Sequence, residues 1–199
     1  SAEMTIEPAM NAANEAGARN QEKTGNTSVY RVHDHPDEEK LNALKRLVSI
    51  MGLPIHIPED PTPKDIQKLL ESVEGEDIEP VVQVMTLRSL PQACYKTENA
   101  GHFGIASKCY THFTSPIRRY PDLMVHRLIR QALSEQLKKN QLKAQTDFLV
   151  RACDHCSETE QNATQTERDV DDLKMTEYMI PFVGEPFDAH ITGITRFGI

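Results

Sequence analysis

The sequence predicts an α+β fold that is predominantly helical. Apolar residues recur at three- and four-residue spacing over long stretches, at Leu41, Leu44, Leu47, Val48 and Met51 and again from Phe148 to Leu173. Extended character is confined to short runs, residues 28–32 and 187–194, set off by Gly, Pro and Asn. The composition, 38% hydrophobic and 26% charged over 199 residues, suits a soluble globular domain and the start of another. No apolar run approaches the length of a membrane span and no signal-peptide pattern opens the chain. Ser1-Ala2, without an initiator Met, reads as a processed end or a cloning remnant.

Residues 3–20, rich in Ala, Glu, Met and Asn, form the first predicted helix, and Gly25-Asn26 a turn. His35-Pro36-Asp37 opens a second helix, which Gly52 stops. Pro54, Pro58, Pro61 and Pro63 mark a loop across 53–63. Helices follow over 63–72 and 78–94, then strand or loop character over 101–105. Ser115-Pro116 reads as an N-cap with Pro in the first turn, and Pro121 as a break or second start of a helix running to about Lys139. A long helix over 141–179 carries one stripe: Phe148, Ala152, Cys156, Thr159, Ala163, Thr166, Val170 and Leu173. With so many Thr and Ala, its contact should be shallow. Pro181 and Gly184 punctuate, and 187–194 reads as a strand.

The net charge of −8 argues against nucleic acid, but its distribution does not. From Gly101 to Lys143 eight Lys and Arg face only Asp122 and Glu135. A basic block in an acidic chain suits a phosphate-binding face, and equally a solvated helix surface. Cys94, Cys109, Cys153 and Cys156 offer no second close pair for a four-thiolate metal site, and read as reduced thiols even with His155 between the last two. Arg118 and Arg119, placed at a helix start, would focus planar donors on one spot that suits a phosphate. The bland alternative is an Arg in a surface ion pair.

The run Gly101-His102-Phe103-Gly104, followed by His112-Phe113-Thr114-Ser115-Pro116-Ile117-Arg118-Arg119-Tyr120-Pro121-Asp122 and His126-Arg127, resembles the signature of the ribonuclease II/ribonuclease R family. The likeness extends through Tyr30–Pro36, Met85–Ala93, His155–Ser157, Glu167–Val170 and Val183–Asp188, nearly the whole chain, and is nearer to the ribonuclease R branch. The resemblance implies a 3′-to-5′ exoribonuclease that releases nucleoside 5′-monophosphates with Mg²⁺ held by an aspartate cluster. It implies that residues 1–180 are the C-terminal part of the catalytic domain and 181–199 the start of an OB-fold RNA-binding domain. Arg118 falls on the family's catalytic arginine, which would stabilise charge on the phosphate. Glu7 matches a glutamate that contacts the terminal nucleotide, or is simply a first-turn carboxylate. Pro8 is tolerable in that helix only within its first turn, and Gly17 departs from the helical pattern. Arg119, Tyr120, His102 and Lys108 are the further RNA-binding candidates.

The family's aspartate cluster lies upstream of anything in this chain, so no metal ligand is assigned here. Asp169, Asp171 and Asp172 read as a solvated helix face. The implied partners are the 3′ end of single-stranded RNA and the upstream half of the catalytic domain. The implied location is cytoplasmic, with no membrane. A non-catalytic RNA- or protein-binding module lacking the metal site is the alternative from a different class.

Overall fold

A computed structural model describes residues 3–134 and 139–188. Among them lie six α-helices and one two-stranded sheet. Helix α1 spans Glu3–Thr24, and Gly25, at φ +65°, turns the chain into strand β1, Tyr30–Val32. Helix α2, Glu38–Ile50, is capped by Asp37, whose carboxylate accepts the Lys40 N–H at 3.1 Å. Gly52, at φ +67°, follows its C-cap as expected. Helix α3, Pro63–Glu71, starts in a capping box in which Thr62 and Asp65 bond each other's backbone N–H.

Helix α4, Glu79–Ser89, is shorter than the expected 78–94. Leu90 is already extended and Pro91 cannot continue a helix, so Cys94 enters strand β2, Cys94–Lys96. Its antiparallel pairing sets Tyr30 opposite Lys96, Arg31 opposite Tyr95 and Val32 opposite Cys94. Residues 101–105, expected as strand or loop, close into a 3-10 turn at Phe103–Ile105. Helix α5 covers Tyr120–Leu133, ending short of Lys139, and α6 covers Lys139–Met179.

Three apolar clusters hold these elements, of which one, Ala18, Tyr30, Val32 and Cys109, joins α1 to β1. Leu41, Leu44, Val48, Leu69, Val73 and Val82 join α2, α3 and α4. Val29, Tyr95, Met124, Val125, Leu128, Leu149 and Cys153 join the sheet, α5 and α6. The buried face of α6 is therefore Leu149 and Cys153, with Ala152 and Cys156 at its edge, one position off the predicted stripe; Phe148 is 47% exposed. The face shifts because α6 rests on β2: Ser157 Oγ accepts the Tyr95 N–H at 2.9 Å. Beyond Glu160 the stripe is uncovered, with Val170, Leu173 and Tyr178 exposed. All four cysteines are free, and burial pushes the Cys153 thiol up to about 12. The expected strand at 187–194 is not confirmed: Phe187 and Asp188 have no regular structure, and 189–194 lie outside the described residues, as does most of the expected OB-fold start.

Helix α1 sets the position of the signature loop, Tyr110–Arg119. Pro8 lies in its second turn, not its first, so the carbonyl one turn earlier lacks its helical donor. Glu7 and Pro8 are exposed there. Gly17 is buried: a Cβ at this position would sit 3.3 Å from Phe113 Cγ. The departure from helical pattern is thus the space into which Phe113 fits. Replacing Gly17 with Val should destabilise the protein by about 1–3 kcal/mol, the range for overpacking, despite the better helix former. Urea unfolding reads this as a lower midpoint at unchanged slope; an unchanged or raised midpoint would show that the loop yields freely.

Candidate nucleic-acid interface

The signature loop is held to α1 by one buried side chain. Asn14 Oδ1 accepts the N–H groups of Phe113 at 3.0 Å and Thr114 at 3.2 Å. Its amide donates to the Tyr110 hydroxyl at 2.9 Å, which donates on to Asn11 Oδ1 at 3.0 Å. On the far side Phe113 stacks on His126, ring centroids 4.2 Å apart, and His126 Nε2 donates to the Phe113 carbonyl at 2.8 Å. Both faces of the loop are fixed before it reaches the arginines.

Those arginines lie outside the helix that follows. Ser115-Pro116 is not its cap: residues 116–118 form a turn, Arg119 is the N-cap and Pro121 occupies the first turn. The Ser115 N–H is taken by the buried Asp122 carboxylate at 2.7 Å, and the Ser115 carbonyl accepts the N–H groups of Arg118 at 3.3 Å and Arg119 at 3.1 Å. Helix therefore begins only at the second proline. Arg119 donates to Asp122 at 2.9 Å, the ion pair that sequence allowed for such an arginine. Arg118 is exposed and makes no ion pair among the described residues. Ile117 beside it is fully exposed, and Tyr120 is 45% exposed.

Two clefts receive the remaining candidates. One, of about 380 Å³, lies between α1 and the loop and brings Glu7 and Arg119 together with Asn11, Asn14, Tyr110 and Thr114. The other, of about 480 Å³, brings together His102 and Lys108 with His33, His35 and Asp60. Arg118 and Tyr120 line neither. A ladder of rings joins the two clefts: His33 to His102 at 5.1 Å, His102 to Tyr110 at 5.4 Å, Tyr110 to His112 at 5.9 Å. It continues through the Tyr95 hydroxyl, 2.8 Å from His112 Nδ1, to Arg31, which lies 4.6 Å over the Tyr95 ring and forks onto Glu160. His33 accepts the Gly104 N–H at Nδ1, 2.7 Å, and donates from Nε2 to the Pro91 carbonyl, 2.7 Å.

Burial, then the charge of neighbouring groups, lowers two of these histidines: His102 to about 4, beside His33 and Arg31, and His112 to about 3, beside Arg119 and Arg31. Both rings are neutral near pH 7. The His102 ring can act only by stacking or hydrogen bonding, and its Nδ1 is buried without a partner among the described residues. Sequence reading missed Asn11, Asn14, Tyr110, His112 and Asp122. The pair of asparagines three apart on one helix face was the available signal for the first two.

Among the described residues, no three His, Cys, Asp or Glu side chains gather closely enough to hold a metal ion. Asp169 is exposed and accepts from Gln165 within its own helix at 2.8 Å. No helix among the described residues is long and apolar enough to cross a membrane.

The family model for the RNB domain matches residues 1–135. Along 97% of its length the chain is 41% identical to ribonuclease R of Aquifex aeolicus, of which it covers 27%. The apo form of Mycoplasma genitalium RNase R superposes with a TM-score of 0.91 at 31% identity, over 99% of this chain and 31% of that one. The same enzyme in complex with ribose methylated single-stranded RNA gives 0.90 at 32% identity, with the same coverage. The chain thus spans about a quarter to a third of the proteins it matches.

The neutral histidines make stability depend on pH. An unfolded imidazole takes up a proton near 6.5, whereas His102 and His112 resist until about 4 and about 3. Between those values the unfolded state binds more protons, so stability is full above about pH 6.5 and is lost as pH falls. The thermal midpoint should decline from pH 7 to pH 5, above the range where most carboxylates titrate. His112→Gln should flatten that decline; an equal slope in the variant would remove His112 from the account.

Proposed function

We propose that this chain, which belongs to the RNB domain family, is part of a ribonuclease R-type exoribonuclease that hydrolyses RNA from its 3′ end and releases nucleoside 5′-monophosphates. On this reading residues 1–180 are the C-terminal part of the catalytic domain and 181–199 begin an OB-fold RNA-binding domain. The full protein works in the cytoplasm on single-stranded RNA 3′ ends. Mg²⁺, held by carboxylates in the upstream half, supplies the activated water. The observation that carries the reading is Arg118: an exposed guanidinium, unpaired among the described residues, on a turn closed by its own backbone bonds.

Arg118 would stabilise charge developing on the scissile phosphate. Its planar fork can engage two phosphate oxygens together, whereas lysine offers a point charge on a flexible stem. Because the turn is rigid, little reorganisation accompanies the transition state. Glu7 would hold the terminal nucleotide at the α1 cleft. Lys108 and His102 would meet the strand at the second cleft, one by charge and one as a neutral ring, and Tyr120 would offer an exposed face for stacking. Arg119, also expected to contact RNA, is already engaged by Asp122. A non-catalytic module is disfavoured by the 41% identity to a ribonuclease R along the chain.

In the full-length enzyme Arg118→Ala should reduce single-turnover hydrolysis of a 3′-tailed RNA by roughly 10²-fold or more, the scale for one lost preorganised donor. Arg118→Lys should recover only part. RNA affinity should fall far less, since many backbone contacts share the binding. Equal loss of rate and affinity would make Arg118 an ordinary binding residue.

The chain by itself, mixed with RNA and Mg²⁺, should release no mononucleotides, since the ligands assigned to Mg²⁺ lie outside it. Release that disappears on replacing Asp169, Asp171 and Asp172 together would relocate the metal site to α6.

A further inference from the structure

Asp122 is the least exposed charged residue in the loop's surroundings, at 0% of its surface. A carboxylate removed from water survives only when paired and hydrogen-bonded. Here both bonds fall on one oxygen. Oδ1 accepts the Ser115 N–H at 2.7 Å and the Arg119 guanidinium at 2.9 Å, while Oδ2 is buried with no partner among the described residues. These two donors are the first and last residues of the turn. With the Ser115 carbonyl accepting from Arg118 and Arg119, the turn is closed by main-chain bonds within it and by one carboxylate beneath it. Only Ile117 and Arg118 project from it into solvent.

Arg119 stands differently from its neighbour. Its side chain is 20% exposed, its terminal nitrogen is on Asp122, and its Nε is buried without a partner among the described residues. A guanidinium held in this way has its charge compensated by the carboxylate through one terminal nitrogen. Arg118, one residue earlier, has no ion pair among the described residues.

We propose that Asp122 is a positioning residue, which clamps the Ser115–Arg119 turn and neutralises Arg119 so that Arg118 alone meets the phosphate. Two adjacent arginines competing for one phosphate would admit two registers of the strand. Cancelling one of them leaves a single register, with the reacting phosphate opposite Arg118. The inference rests on the reading of Arg118 given above, but it predicts a property of binding that does not depend on turnover.

The test uses the full-length enzyme and compares Asp122→Asn, Asp122→Ala and Arg119→Gln with the parent. Four quantities are measured: thermal midpoint, single-turnover rate, dissociation constant for single-stranded RNA, and its dependence on salt. Asparagine keeps an acceptor for the Ser115 N–H and releases Arg119. The salt slope of Asp122→Asn should therefore steepen by about 0.7, the value for one added phosphate contact on a single strand. Its affinity should be equal or tighter, while its single-turnover rate falls about 10-fold or more from lost register. Arg119→Gln should leave the slope at the parental value, since Arg119 meets no phosphate there. Asp122→Ala loses the Ser115 bond as well, and should fall further in rate than Asp122→Asn.

An unchanged salt slope in Asp122→Asn overturns the proposal, whatever Arg118→Ala shows. So does a flattened slope in Arg119→Gln, which would make Arg119 a phosphate ligand. A fall in rate, affinity and midpoint together in Asp122→Asn would assign the residue to folding only, and also overturns it. If the slope steepens as expected while Arg118→Ala loses rate and affinity equally, the neutralising role of Asp122 stands and the catalytic reading of Arg118 falls.

Discussion

Asn14 uses its side-chain amide almost to capacity, and the rest of the interface is arranged around that fact. Its oxygen takes two consecutive backbone N–H groups of the signature loop and its nitrogen reaches Tyr110. At 3% exposure, losing any of these bonds would strand a buried polar group. The geometry is possible only because α1 and the loop nearly touch, which requires the missing Cβ of Gly17 against Phe113. One glycine and one asparagine, three residues apart, thus decide where the loop lies. Its end in turn decides where the Ser115–Arg119 turn begins.

From that anchor the structure proceeds outward with increasing tolerance for charge. Nearest α1 the contacts are neutral: Asn, Tyr and two histidines held unprotonated by burial. At the next layer charge appears but is paired, Arg119 with Asp122 and Arg31 with Glu160. At the surface Arg118 stands exposed, with no ion pair among the described residues. Ion pairs that are buried, as Arg119–Asp122 is, or partly so, as Arg31–Glu160 is, are weak sources of stability, because desolvation offsets attraction. Their service here is geometric: one fixes the turn, and the other fastens α6 to the sheet through the ring of Tyr95.

Much of this was legible in sequence where chemistry is local. The cap at Asp37, the stop at Gly52 and the Pro63 helix start are decided within a few residues, and each was foreseen to within one or two positions. Strand β2 was not, since Cys94–Lys96 has no periodicity of its own and exists through pairing with residues some sixty positions earlier. Of the two helix starts offered there, Ser115-Pro116 and Pro121, the helix takes the second. Ser115 followed by Pro read as a cap, but a carboxylate seven residues later claims the Ser115 N–H. Among site residues, Arg118 and Glu7 came from resemblance; composition and spacing alone left each with a bland alternative. The asparagines that hold the loop offered only their own spacing as a signal, because their partners are about a hundred positions away.

Helix α6 shows how far periodicity can be trusted. A stripe of apolar and small residues does recur from Phe148 to Leu173, yet burial ends near Glu160 and its face is displaced by one residue. Periodicity states that a helix has a side it can present; it does not state that something is there to receive it. In the first part of α6 the receiver is concrete: Tyr95 and Met124 around Leu149 and Cys153, and the backbone of β2 on Ser157. Farther along, Val170, Leu173, Met175 and Tyr178 stand in solvent among the described residues, on a chain that spans only about a quarter to a third of its relatives. The same pattern therefore has two physical meanings in one helix. Before Glu160 it records packing; after it, an apolar surface whose cost in water is borne by the helix alone.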